Sequence, residues 1–422
     1  MPVRRPTVEP FPDAGVLVGA FLTVSVPLQV APMDLWTPAT LTASVTYANS
    51  QSAPLALQQL IITTRPPGGT HSGGPFDDCS PKIGAQVVAP GQAVPLGATR
   101  AFTNADAPGQ WEAYSTQQSG AGGWSDGQSV LFNVHRGIAL GAWIGGSGSA
   151  SAAPWDPARI DWFANLVGTP PRIVHWNQDW TYSIGANLLD SVASRGAMPM
   201  VTWEPWTAPI DDIASGGWDG YIKGWADDAA AWGQVFFVRF GHEMNGDWYP
   251  WCPQSGSTTS ASYVKAWKHI VDIFRQEGAT NVRWVWCPNV GYPGATAFAD
   301  LYPGDAYVDW VALDGYNWGA TTGHSWQALA DVFQQSYDDL GALAPTKPIM
   351  IAETSSSETG GSKAAWIRQG LLTDLPTKLP RVQAVVWFDS YSSNGWQVDS
   401  SATSLAAFHD VAAAPPFQGR LP

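Results

Sequence analysis

The sequence predicts an α/β chain: a (β/α)8 TIM barrel preceded by an all-β, immunoglobulin-like sandwich. Two observations carry this. Short alternating runs punctuated by Gly, Pro, Asn and Ser fill residues 1–135, with no helical pattern among them. From residue 136 to 422 the grammar changes, and apolar runs alternate with helical ones eight times. The expected domains are therefore 1–135, an accessory module, and 136–422, the barrel.

In the first part, ATLTASVTYAN, LALQQLIITTRPP, KIGAQVVAPGQAVPLGATRAF, GQWEAYSTQ and QSVLFNVH read as strands at sandwich-like intervals. The stretch 14–30, AGVLVGAFLTVSVPLQV, falls short of the roughly 20 apolar residues of a membrane span. It is β-branched and contains Pro27, so it reads as a buried first strand. Trp36, Trp111 and Trp124 are either core residues or a binding face.

In the second part the expected strands are 138–143, 172–178, 198–204, 235–243, 282–289, 308–318, 348–353 and 382–389. Between the fourth and fifth, Tyr263, Trp267, Ile270, Val271 and Phe274 recur at the spacing of one helical face. Eight strand–helix units in this length suit a barrel of about 250 residues with insertions. In that fold chemistry sits at the C-terminal ends of the strands, where this chain gathers polar and aromatic residues.

Composition narrows the function. With 21 Lys and Arg against 35 Asp and Glu, the formal net charge is −14, which disfavours nucleic acid as a partner. The three cysteines, Cys79, Cys252 and Cys287, form neither a disulfide framework nor a zinc pattern. A Cys252–Cys287 bridge and buried free thiols both remain open. No metal-ligand spacing appears, and His175 and His324 are isolated, so no cofactor and no metal are expected. Of the 24 tryptophans, 21 follow residue 135, so aromatic faces concentrate where the polar strand ends are.

The segment FGHEMNGDWYPW, 240–251, crowds ionisable groups beside large rings. A site that grips an uncharged polar ring and performs acid chemistry needs both. Glu243 closes the fourth strand and Glu353 the seventh, facing each other across a closed barrel. Two carboxylates across a sugar cleft are the apparatus of glycoside hydrolysis: a protonated acid serves the leaving oxygen, and an ionised partner attacks or activates water. Trp248, Tyr249 and Trp251 are candidates for one cleft wall, and Trp176, Trp203, Trp206 and Trp318 for further sugar platforms. Asn245 is a candidate for orienting the acid or the substrate. Arg239 shares strand parity with Glu243 and points inward, either to hold an ion pair or to act directly.

The run RFGHEMNGDWYPW, with IAETSS later, resembles glycoside hydrolase family 26, within a retaining clan of (β/α)8 barrels, over about 138–400. The resemblance implies Glu243 as general acid/base and Glu353 as nucleophile. It implies His242 as an orienter of the sugar, Tyr316 as hydrogen-bond donor to the nucleophile, and Trp387 as an eighth-strand platform. It implies an endo-β-glycanase acting on a plant polysaccharide; with the acidic composition and low cysteine count, that reading suggests a secreted enzyme, any secretion signal lying outside this sequence, and a monomer with no membrane partner is expected. The family is mostly β-1,4-mannanases, with mixed-linkage β-glucanases and β-1,3-xylanases as minorities, so mannan is the first expected substrate and mixed-linkage glucan the second. This chain departs from the mannanase pattern at the third strand, where TWEPW places Glu204 at the position of a histidine. A non-catalytic carbohydrate-binding protein is the alternative of another class.

Overall fold

The computed structural model describes residues 15–17, 19–69, 75–145, 153–256, 258–321, 323–392, 394–419 and 421. Two units separate between Gly137 and Ile138, two residues beyond the expected boundary.

The first unit is a β-sandwich. One sheet orders Thr23–Ala31, Ala39–Ala48 and Ala93–Phe102; the other is built on Leu55–Arg65, Gly109–Ser119 and Trp124–Arg136. Alternation dictates the core: Leu41, Ala43, Val45 and Tyr47 point inward from one strand and meet Leu60, Ile62, Trp111 and Phe132. The first strand differs from expectation. It begins at Thr23 and lies at a sheet edge, and Leu28 is its one buried side chain. Trp111 is core, edge-on to Phe102 at 5.0 Å, whereas Trp36 stacks on His135 and Trp124 is exposed.

The second unit is a closed barrel of eight parallel strands in chain order: β1 (Ala139–Ile144), β2 (Ile173–Asp179), β3 (Met198–Glu204), β4 (Phe236–Phe240), β5 (Val282–Trp286), β6 (Trp310–Asp314), β7 (Ile349–Thr354) and β8 (Val382–Asp389). Each register is parallel. Side chains alternate between two apolar bodies. Ala139, Ile173, Met200, Phe237, Val285, Ala312, Met350 and Val386 fill the barrel interior. Val174, Trp203, Val238, Trp286, Leu313 and Trp387 face the helices. The helix Ser260–Gln276 buries the predicted face and is capped by reciprocal Thr259 and Ser262 hydrogen bonds.

Strands β4, β5 and β6 end earlier than the sequence suggests. In β4 the reason is local: Gly241 (φ 48°) and Glu243 (φ 52°) are left-handed, which no strand continues. Among the described residues, no helix is long and apolar enough to cross a membrane. Cys79, Cys252 and Cys287 are free thiols, all buried. Burial pushes the Cys79 thiol up to about 11 and Cys252 to about 12. A water-soluble thiol reagent is therefore expected to titrate none of the three in the native protein and all three in denaturant. Fast native labelling of Cys252 or Cys287 would contradict this packing.

Candidate active site

Strand parity places Thr202, Glu204, Arg239 and Asp314 on the inner face near the C-terminal rim, above the apolar filling, and a register irregularity after Ile351 in β7 brings Glu353 opposite Asp314. Arg239 is their hub. Its Nη1 donates to both oxygens of Asp314, at 2.8 and 2.7 Å, and its Nη2 donates to Oε1 of Glu353. Its Nε donates to Thr202 Oγ1 at 2.7 Å. Burial works against the Arg239 charge, but Asp314 and Glu353 more than offset it and hold its pKa well above the usual value. His175 Nε2 lies 3.0 Å from Arg239 Nη2 and 2.7 Å from Thr202 Oγ1. Because a guanidinium only donates, Nε2 accepts and the ring is neutral. Burial, then the Arg239 charge, keeps the His175 pKa well below its usual value. His175 is therefore part of the site rather than isolated, and of the two roles open for Arg239 the ion pair is the one formed.

Glu353 has both oxygens engaged, the second by the hydroxyl of Tyr316. Burial, then the negative charge of Glu353, pushes the Tyr316 pKa well above its usual value, so this hydroxyl stays a donor.

Glu243 has the opposite surroundings. It lies in the turn after β4, where its N–H donates to the Cys287 carbonyl at 2.8 Å and its own carbonyl accepts from Gly246 N–H at 3.0 Å. These contacts hold a left-handed non-glycine residue, a conformation costing on the order of 1–3 kcal/mol. Oε2 accepts from Trp248 Nε1 at 2.7 Å. A Cβ at Gly246 would meet the Trp248 ring at 2.7 Å, so only glycine lets that ring lie here. Burial, reinforced by the charge of Glu353, pushes Glu243 up to about 7, while Trp248 and Arg239 act to lower it. One carboxyl is thus a potential proton donor near neutrality, and the other accepts from two strong donors.

His242, Asp314 and Glu353 bring potential ligand atoms within 4.8 Å of one another. The Arg239 cation lies against both of those acids and supplies the positive charge that a metal would bring there. His242 is buried, its pKa held low by burial and Arg239, with Nδ1 3.9 Å from Glu204. Glu204 accepts from Asn177 Nδ2 at 2.8 Å and Trp206 Nε1 at 3.0 Å, and burial pushes its pKa up.

A cleft of about 830 Å³ opens over the two glutamates, lined by Trp248, Tyr249, Tyr292, Tyr316, Trp318, Phe388 and Trp396. It corrects several expectations. Trp176, Trp203, Trp251 and Trp387 are fully buried and offer no face to a sugar. Trp203 is sandwiched between Trp180 and Trp225 at 4.2 and 4.0 Å. Trp176 bonds Gln178 and meets Trp155 edge-on; Trp251 donates to the His242 carbonyl and stacks on Tyr249. Trp387 has outward parity and packs on Phe408, while its neighbour Phe388 faces the cleft. Asn245 spends its amide on Asn289, donating to its carbonyl and accepting from its N–H, both at 2.9 Å, and so ties two loops rather than touching substrate. Trp248, Tyr316 and Trp318 line this cleft, and Glu204 lies beside His242. Phe388, Tyr292 and Trp396 were missed, although parity alone exposes Phe388.

A closed parallel barrel with two differently held carboxyls in an aromatic cleft offers the paired groups that glycoside hydrolysis uses. A family model described as glycosyl hydrolase family 26 matches residues 222–370. Endoglucanase H of Acetivibrio thermocellus is 41% identical over 290 residues, covering 67% of this chain and 31% of that protein. Mannan endo-1,4-beta-mannosidase A and B of Caldalkalibacillus mannanilyticus is 28% identical over 193 residues, 44% of this chain and 33% of that protein. The catalytic domain of the family 26 endo-beta-1,4-mannanase of Bacillus sp. JAMB-750 shares the fold with a TM-score of 0.52 at 20% identity, covering 66% of this chain and 86% of that one. The barrel of this chain belongs to glycosyl hydrolase family 26. The chain spans about a third of the length of the curated relatives it matches.

Two outcomes follow. Trp387→Phe is expected to lower Tm with KM unchanged, whereas Phe388→Ala is expected to raise KM several-fold; the reverse pattern in steady-state kinetics would restore Trp387 as a platform. Glu243 has a folded pKa raised above its unfolded value, so the folded state binds more protons, and stability falls as pH rises from about 4.5 to about 7. Glu243→Gln removes this loss. Calorimetry is expected to find it more stable than the native chain at pH 8, by up to about 3 kcal/mol, and equal near pH 4.

Proposed function

We propose that the chain is a retaining endo-β-glycanase in which Glu353 attacks the anomeric carbon and Glu243 serves as acid and then base. The observation that carries this reading is the division of labour between the two carboxyls. Glu353 accepts from Arg239 on one oxygen and from Tyr316 on the other, and is held and aimed by them. Glu243 keeps its proton to about neutrality, partly because Glu353 is charged. Once Glu353 is esterified by the sugar its charge is gone, the Glu243 pKa falls, and Glu243 can take a proton from the incoming water. An open, aromatic-walled cleft suits internal positions of a polymer.

Mixed-linkage β-glucan is the first substrate reading. It rests on Glu204, held by Asn177 and Trp206 next to His242, and on the 41% identity to a protein named as an endoglucanase. A carboxyl there accepts from a sugar hydroxyl, where an imidazole would present different polarity. Mannan is the second reading, favoured by the relatives named as mannan endo-1,4-β-mannosidases. Secretion and a monomeric state complete the proposal, and the sandwich is an accessory module.

The test is product release from barley β-glucan, glucomannan, galactomannan and β-1,3-xylan, with product anomers followed by NMR. Barley β-glucan is expected to be cleaved with retention. Glu353→Ala is expected to lose roughly 10³-fold or more, and Glu243→Ala to recover on an aryl glycoside whose leaving group needs no proton. Glu204→His is expected to raise the mannan-to-glucan activity ratio. Inverted product, or full activity in Glu353→Ala, would overturn the mechanism; galactomannan cleavage alone would make mannan the substrate.

A further inference from the structure

Lys363 begins the helix Lys363–Ile367 that follows β7, and it is completely buried. None of the chemistry above uses it. Its ammonium donates to the Gly395 carbonyl at 2.6 Å, the Gln397 carbonyl at 2.7 Å and Ser400 Oγ at 3.0 Å. Three donors meet three acceptors, all on six residues of the loop after β8. Among the described residues no carboxylate pairs with it directly. Glu358, Asp389 and Asp399 act on it through their charge, and Glu358 itself accepts from Ser400 and Ser404. Burial pushes the lysine down to about 8, so at neutral pH it still carries its proton.

The loop it grips carries Trp396. That ring stacks on Tyr316 at 4.4 Å and 12° and meets Trp318 at 4.9 Å. The Trp396 carbonyl is fixed in turn by Ser355 Oγ at 2.8 Å and Trp387 Nε1 at 2.9 Å. Tyr316 is the donor to Glu353. A continuous set of contacts therefore runs from a buried cation to the cleft wall beside the nucleophile.

The structure assigns Lys363 as an internal cation that organises the 395–400 loop, a positioning residue that holds Trp396 against Tyr316 and so builds the sugar-binding wall next to Glu353. This rests on Glu353 being the nucleophile of that cleft. A tethered ammonium does here what a bound cation does elsewhere: it gathers carbonyl and hydroxyl oxygens of an irregular loop around one point. Buried charge is costly, and a loop held by apolar contacts alone would avoid that cost. Three converging donors explain why lysine stands there instead.

Lys363→Met keeps the length and removes the donors. Hydrogen exchange followed by mass spectrometry is expected to show faster exchange confined to peptides spanning 390–400, with the barrel strands still protected. KM for the cleaved polymer is expected to rise about tenfold, the scale of one lost aromatic stack. A purely structural role would reduce the active fraction, lowering apparent kcat with KM unchanged. If Lys363→Met does not fold, Ser400→Ala removes one acceptor and is expected to move both readouts the same way, by less. Unchanged loop exchange and unchanged KM in the folded variant would overturn the assignment. The exchange measurement needs no substrate, so it decides this point even if every polymer in the panel is left intact.

Discussion

The barrel depends on one guanidinium. Arg239 reaches from β4 to Asp314 on β6 and Glu353 on β7, and touches Thr202 on β3 and His175 on β2. Five of eight strands meet at a single buried cation. Two acids and one base buried side by side are tolerable only together, because removing one partner of such a set leaves an uncompensated charge worth about 3–5 kcal/mol. The interaction that fixes the barrel mouth is therefore also the one that aims Glu353, the proposed nucleophile. It also sets the electrical climate around it: both nearby histidines are kept neutral by burial and by the same positive charge.

Glu243 is useful because it lies outside that grip. It hangs from a strained turn, has one indole donor, and is buried facing another carboxylate. Two glutamates of the same barrel are separated in behaviour by their neighbours alone. The strain at φ 52° and the burial of an acid are both unfavourable locally, and the surrounding aromatic packing absorbs them.

Much of this was legible in the sequence, because period and position are local signals. The eight apolar runs gave the barrel, and the polar residues at their ends gave Glu243, Glu353, Tyr316 and Glu204. What was misread came from ignoring parity within a strand. In β8, Ala384, Val386 and Phe388 point inward, so Trp387 cannot; the same alternation turns Trp176 and Trp203 toward the helices. Tryptophan count pointed to sugar platforms, and four of the seven tryptophan candidates proved to be core. The Asn245–Asn289 tie and the Lys363 loop were invisible for another reason. They join segments 44 and more than 30 residues apart through backbone carbonyls, which leave no mark on residue type. Trp396, which forms part of the cleft, reads as one more loop aromatic until its stack on Tyr316 is seen.

The three buried thiols bear on how such a chain would fail. Cys252 rests on the Glu243 carbonyl and Cys287 on Asp314, so two of them sit against the carboxyl cluster of the barrel mouth. While the fold is closed, burial keeps both sulfurs from oxidants. Once it opens in an oxidising medium, thiols that the native packing keeps free are released to pair wrongly or between molecules. Inactivation then becomes a matter of how rarely the barrel opens rather than of how favourable the closed state is, and lifetime is set by the unfolding rate.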